Sequence, residues 1–138
     1  MEFAKDVSRM LEQARVNLRE LGEEGPLVIW QGAAKTVGFL SALGEFGPVS
    51  CAVDLNPSRN EKYLPGVGLK VVSPEKLASL QPRNVVLMNP VYRAEVAANL
   101  RTRGIGARLT SIDELFVSNP AFESRKLEFR SEDKSGCE

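Results

Sequence analysis

Short runs of apolar residues, each closed by a turn-forming dipeptide and followed by a helix-like or loop segment, constrain this chain most. The runs fall at residues 27–30 (Leu-Val-Ile-Trp), 49–53, 70–72 and 84–88, with a weaker one at 107–109. A run that is apolar at every position, rather than at alternate ones, suits a strand covered on both faces, as in a parallel sheet. Between the runs, residues 33–43, 75–80 and 91–103 carry helical spacing, with Val37, Leu40 and Leu43 on one side of the first and Tyr92, Val96 and Leu100 along the last. Gly44 and Gly104 supply stop signals. A last turn is expected at 112–115. Strands alternating with helices imply βαβ units with right-handed crossovers. The expected fold is therefore α/β, a Rossmann-like three-layer domain with a mostly parallel sheet of about five strands.

An amphipathic helix precedes this unit. Phe3, Val7, Met10, Leu11, Ala14, Leu18 and Leu21 recur at three- and four-residue steps, with Gly22 as the expected stop. Its stripe must be buried against this domain or a partner, and a second copy of the chain is one candidate. The expected organisation is a leading helix over 1–24, the α/β unit over 25–117, and a polar tail over 118–138. The tail has little beyond Leu127 and Phe129 to bury after residue 123 and is expected to be mobile.

Composition excludes several functions. The 138 residues suffice for one core, and Lys plus Arg equals Asp plus Glu at 18 each, so no basic excess points to nucleic acid. No apolar run reaches the ~18 residues of a membrane span, and no signal-peptide pattern opens the chain, so a cytoplasmic protein is expected. Two cysteines, Cys51 in an apolar run and Cys137 in the tail, suggest no disulfide. Histidine is absent, which removes the commonest general base and metal ligand and rules out any Ser-His-Asp or Cys-His arrangement. No metal site and no catalytic set are expected.

Candidate binding residues gather where strands end. Asn56-Pro57, Ser73-Pro74 and Asn89-Pro90 each follow an apolar run. Asn or Ser caps a helix start and Pro suits its first position, so these pairs mark corners at the carboxyl ends of strands, the edge where open α/β sheets bind ligands. Gly32 lies in the loop after the first strand, where a glycine lets backbone N–H groups approach an anion, and Lys35 sits in the first turn of the helix that follows. Asp54 closes the second strand, the place of a ribose-binding acid. The 13-residue connection from Asn56 to Gly68 carries Arg59, Lys62 and Tyr63, a set able to supply cations and a stacking ring. With Asn89 and Tyr92 after the fourth strand, the candidate ligand-binding set is Gly32, Lys35, Asp54, Asn56, Tyr63, Asn89 and Tyr92. Each has a structural explanation too, as a turn, a cap or a solvated charge.

Five segments in order resemble a known domain: Val28–Trp30 followed by Lys35; Val53-Asp54-Leu55-Asn56-Pro57; Tyr63-Leu64-Pro65-Gly66; Val72-Ser73-Pro74-Glu75; and Val86-Leu87-Met88-Asn89-Pro90 with Tyr92. Together they resemble the C-terminal domain of SAM-dependent C-methyltransferases, a family that includes enzymes methylating carbons of nucleotide-linked deoxysugars. The resemblance spans about residues 26–115, and the leading helix with them. Such enzymes join a zinc-binding N-terminal part and a SAM-binding domain to this C-terminal one. The resemblance therefore implies a non-catalytic substrate-binding or scaffolding module that takes a small polar or nucleotide-linked ligand beside a methyltransferase catalytic domain or subunit. SAM belongs to that partner, and no cofactor is assigned to this chain. It would be either a fragment of a longer enzyme or a free-standing relative.

Where the family's first loop reads Trp-Gly-Ala-Gly-x-Lys-Gly, this chain has Gln31, Ala33 and Thr36 at the three glycine positions, side chains expected to crowd a phosphate. Two other readings remain at this point. One is an assembly or dimerisation domain with a degenerate nucleotide site. The other is a small enzyme on a nucleotide-linked substrate, with Lys35, Asp54, Tyr63 or Tyr92 as its acid–base groups.

Overall fold

The structure, a computed structural model, describes residues 2–31, 34–44, 47–59 and 61–116. The expected tail over 118–138, Cys137 included, lies outside the described residues, as does Gly32. Five strands, β1 (Leu27–Trp30), β2 (Val49–Val53), β3 (Val71–Val72), β4 (Asn84–Leu87) and β5 (Arg108–Ser111), form one sheet in the order β3-β2-β1-β4-β5. Every pairing between them is parallel. The helices are α1 (Glu2–Glu23), α2 (Ala34–Leu43), α3 (Leu77–Leu80), α4 (Arg93–Thr102) and α5 (Ile112–Leu115).

The unbroken apolar runs have the cause inferred from them: both faces of the sheet are covered. On one face Leu27, Ile29, Ala52, Val71 and Val86 pack with α1, α2 and α5; on the other Val28, Trp30, Cys51, Val53, Val85 and Leu87 pack with α3 and α4. The alternation along β1 is strict, and one β2 residue is skipped between the partners of Leu27 and Val28, which keeps both faces apolar. The fifth strand, weak in sequence, is four residues long and pairs with the whole of β4.

The leading helix divides into two parts. Ala14, Leu18 and Leu21 are buried in the first-face core, and Asn17 Nδ2 donates to the Leu115 carbonyl at 2.8 Å, tying α1 to α5. Nearer its start, Val7 and Met10 are 38% and 45% exposed. Gly22 does not stop the helix, which runs to Glu23. Its lack of a side chain serves packing instead, since a Cβ there would meet the Pro48 Cβ at 2.8 Å. The turn into β1 is made at Gly25, with φ +149°, where a Cβ would lie 2.3 Å from Arg83 Cγ. At the amino end of the sheet Asn84 is fully buried and donates to the Leu21 carbonyl at 3.3 Å and Glu24 Oε1 at 3.1 Å.

The connection between β2 and β3 is more ordered than its sequence suggests. A 3-10 turn spans Pro57–Arg59, and Tyr63 bridges Lys70 in antiparallel fashion. Leu64 and Leu69 of this excursion are buried in the first-face core, and Glu61 and Lys70 pair at 2.8 Å across its base. No described helix is long and apolar enough to cross a membrane.

Burial beside the second-face core pushes the Cys51 thiol from its ordinary value of 9.0 up to about 11. A thiol that ionises less readily when folded contributes its stability in full below the unfolded value. That contribution is lost as pH rises from about 9 to about 11. In a Cys137→Ser chain at pH 8, Cys51 should resist iodoacetamide in native buffer and react readily in urea. Equal labelling rates in the two conditions would contradict its protonated, enclosed state.

Candidate functional site

Chain order sets where the sheet opens. From β1 the chain moves outward through β2 to β3, then returns to place β4 on the other side of β1 and β5 beyond it. The crossover helices diverge at that reversal, leaving a crevice at the carboxyl ends of β1 and β4. A cleft of about 510 Å³ lies there, lined by Trp30 and Gln31 from the end of β1, Leu55 just after β2, Tyr92 from the turn that leads into α4, and Glu95, Val96 and Asn99 along α4.

Local chemistry builds each wall. Gln31 leaves β1 with its N–H donating to the Val53 carbonyl at 2.6 Å and a φ of +84°, in the left-handed region. The Thr36 hydroxyl, fully buried, donates to the Gln31 carbonyl and clamps the loop onto α2. After β2, Asp54 Oδ1 accepts from the Asn56 N–H at 2.9 Å, and Asn56 Oδ1 accepts from the Ser58 N–H at 3.1 Å and its hydroxyl at 2.9 Å. These bonds hold a tight corner that leaves Leu55 61% exposed. After β4, Asn89 Oδ1 accepts from the Val91 N–H at 3.1 Å, capping the 3-10 turn Pro90–Tyr92 that leads into α4.

The residues singled out in the sequence thus divide. Tyr92 lines the cleft. Asp54 and Asn56 flank the lining residue Leu55, and their side chains shape the corner; Asn89 acts as the cap. Lys35 is exposed in the first turn of α2, on the same strand-end edge. Tyr63 is exposed on the excursion beside β3 and is not among the lining residues, because Leu64 and Leu69 anchor that hairpin to the core. Two altered loop positions behave differently from each other. Thr36 turns inward, so it does not crowd the mouth, whereas Gln31 forms part of the wall.

Sequence reasoning missed Trp30, Gln31, Leu55, Glu95, Val96 and Asn99 as lining residues. One signal was present: Tyr92, Glu95, Val96 and Asn99 fall at i, i+3, i+4 and i+7, a single helix face. Among the described residues no group of three or more His, Cys, Asp or Glu could hold a metal. Two aromatic rings, two amides, two aliphatic side chains and one carboxylate make a surface suited to enclosing and orienting a small organic molecule.

A non-glycine residue at φ +84° is strained by about 1–2 kcal/mol. Glycine would release that strain while freeing the unfolded chain by about 0.4–1 kcal/mol. Gln31→Gly is therefore expected to raise stability by up to about 1.6 kcal/mol, read from urea unfolding; a net loss would show that the Gln31 side chain supports the wall more than its backbone strains it.

A five-stranded, all-parallel sheet with helices on both faces and a cleft at its strand-order reversal defines a Rossmann-like α/β domain. The family model described as the C-methyltransferase C-terminal domain matches residues 1–110, and the chain belongs to that family. Among curated proteins, none matches the chain.

Proposed function

We propose that this chain is the substrate-holding module of a methyl-transfer system, without catalytic chemistry of its own, working beside a separate catalytic domain that carries SAM. The observation that carries this reading is the cleft between the ends of β1 and β4, with Trp30, Leu55 and Tyr92 as apolar and aromatic walls and Gln31, Glu95 and Asn99 as polar ones. The absence of histidine and of any described metal cluster fits a binding role. A nucleotide-linked sugar is the proposed substrate: a base or sugar ring suits the aromatic wall, and Lys35 stands on the same edge to meet a phosphate.

Calorimetric titration of the chain with SAM and with a nucleotide-linked deoxysugar tests this. The sugar nucleotide should bind and SAM should not. Tyr92→Ala should weaken sugar-nucleotide binding about tenfold, the effect of losing about 1–1.5 kcal/mol of ring contact. Methyl transfer by the chain alone would sink the proposal.

A second reading, assembly through α1, is favoured by the exposed Val7 and Met10. It predicts a dimer by sedimentation that Met10→Glu dissociates. Leu18 is no probe of this reading, because it is buried in the chain's own core.

A further inference from the structure

Resting on the reading of the cleft as a ligand site, we propose that the group it takes is a protonated amine carried on a ring or apolar body. Glu95 holds the one formal charge among the described lining residues, and its exposed carboxylate forms no ion pair with a described residue. Arg93, the cation nearest to it along α4, is directed elsewhere, whereas Arg103 bonds the lining residue Asn99. Arg93 reaches toward β5 and α5, with Nη1 at 3.5 Å from the Leu109 carbonyl and Nη2 at 3.5 Å from Glu114 Oε2. Arg103 donates from Nε to Asn99 Oδ1 at 2.7 Å and faces Glu75 at 3.7 Å.

The one formal charge among the described lining residues is therefore negative, and an aromatic face carries partial negative charge as well. Tyr92 stands three residues before Glu95, and Trp30 lines the same cleft. A cation lodged between a carboxylate and aromatic faces gains from both, while an anion is repelled by both. The macrodipole accounts for an acid in the first turn of α4. It does not account for that acid sharing a cleft with two aromatic rings. Any phosphate on the same ligand would sit outside the cleft, toward Lys35.

The single tryptophan makes the test direct, because the Trp30 indole N–H gives one resolved reporter of the cleft. The full chain, labelled with nitrogen-15, is titrated with 2-phenylethylamine, neutral 2-phenylethanol and anionic phenylacetate. The amine should shift the Trp30 signal with about tenfold higher affinity than the alcohol, and phenylacetate should bind weakest. Glu95→Gln should bring the amine to parity with the alcohol and leave the alcohol unchanged; an overlaid amide spectrum of the variant verifies its fold. Equal binding of amine and alcohol to the native chain, or a preference that survives Glu95→Gln, overturns the amine assignment and leaves the cleft as a ligand site. No shift of Trp30 with any of the three overturns both.

Discussion

Leu18→Glu is expected to abolish cooperative folding, while Met10→Glu, about two turns earlier on the same helical stripe, is expected to leave the chain folded. Leu18 is 1% exposed and packs in one cluster with Leu21, Leu27, Leu43 and Leu115. Replacing it removes the burial of a leucine, about 2–5 kcal/mol, and adds the cost of forcing a carboxylate into an apolar layer. Against a total stability of about 5–15 kcal/mol, the sum leaves few folded molecules. Met10, at 45% exposed, lies in the part of α1 outside the core, where a surface change costs within about 0.5 kcal/mol. Urea unfolding followed by circular dichroism separates the two variants. A native-like transition for Leu18→Glu would mean that α1 does not belong to the core at all.

Leu100→Ala is expected to cost about 2–5 kcal/mol, the range for emptying a packed leucine site. Leu100 is 2% exposed beneath α4, in the second-face cluster with Val96 and Ile105. Its consequence reaches the cleft without touching it. Tyr92, Glu95, Val96 and Asn99 all depend on how α4 and its leading turn seat on the sheet, and Leu100 is not one of the lining residues. The variant should therefore lose ligand affinity along with stability, whereas Tyr92→Ala should lose affinity alone. A loss of stability below about 1 kcal/mol would show that α4 is held mainly by its turn and by Val96.

The fold was legible because its cause is local. A strand covered on both faces is apolar along most of its length, and Leu27–Trp30 and the run 85–88 carry that mark. Asn89-Pro90 announced its corner because a cap and a φ restriction act within a few residues. Gly22 was misread because its role depends on Pro48, far along the chain. The excursion after Asn56 was read as a connection carrying Arg59, Lys62 and Tyr63, and its anchoring was not legible because it comes from Leu64 and Leu69 docking on a core assembled elsewhere. That Tyr92 lies near the strand-end edge was legible, since it follows the Asn89-Pro90 corner. Leu55 was not, as an exposed leucine at a corner gives no sign of which neighbours enclose it.

The amino-acid sequence by itself determined the parallel α/β layering, the strand-end corners and the want of histidine-based chemistry, because periodicity, capping and composition act over a few residues or over none. Tertiary structure alone decided the strand order β3-β2-β1-β4-β5, the cleft at its reversal, and the gathering of Gln31, Leu55 and Glu95 round it. Those three residues are separated by long stretches of chain, and only the sheet's closing pattern of neighbours brings them to one wall.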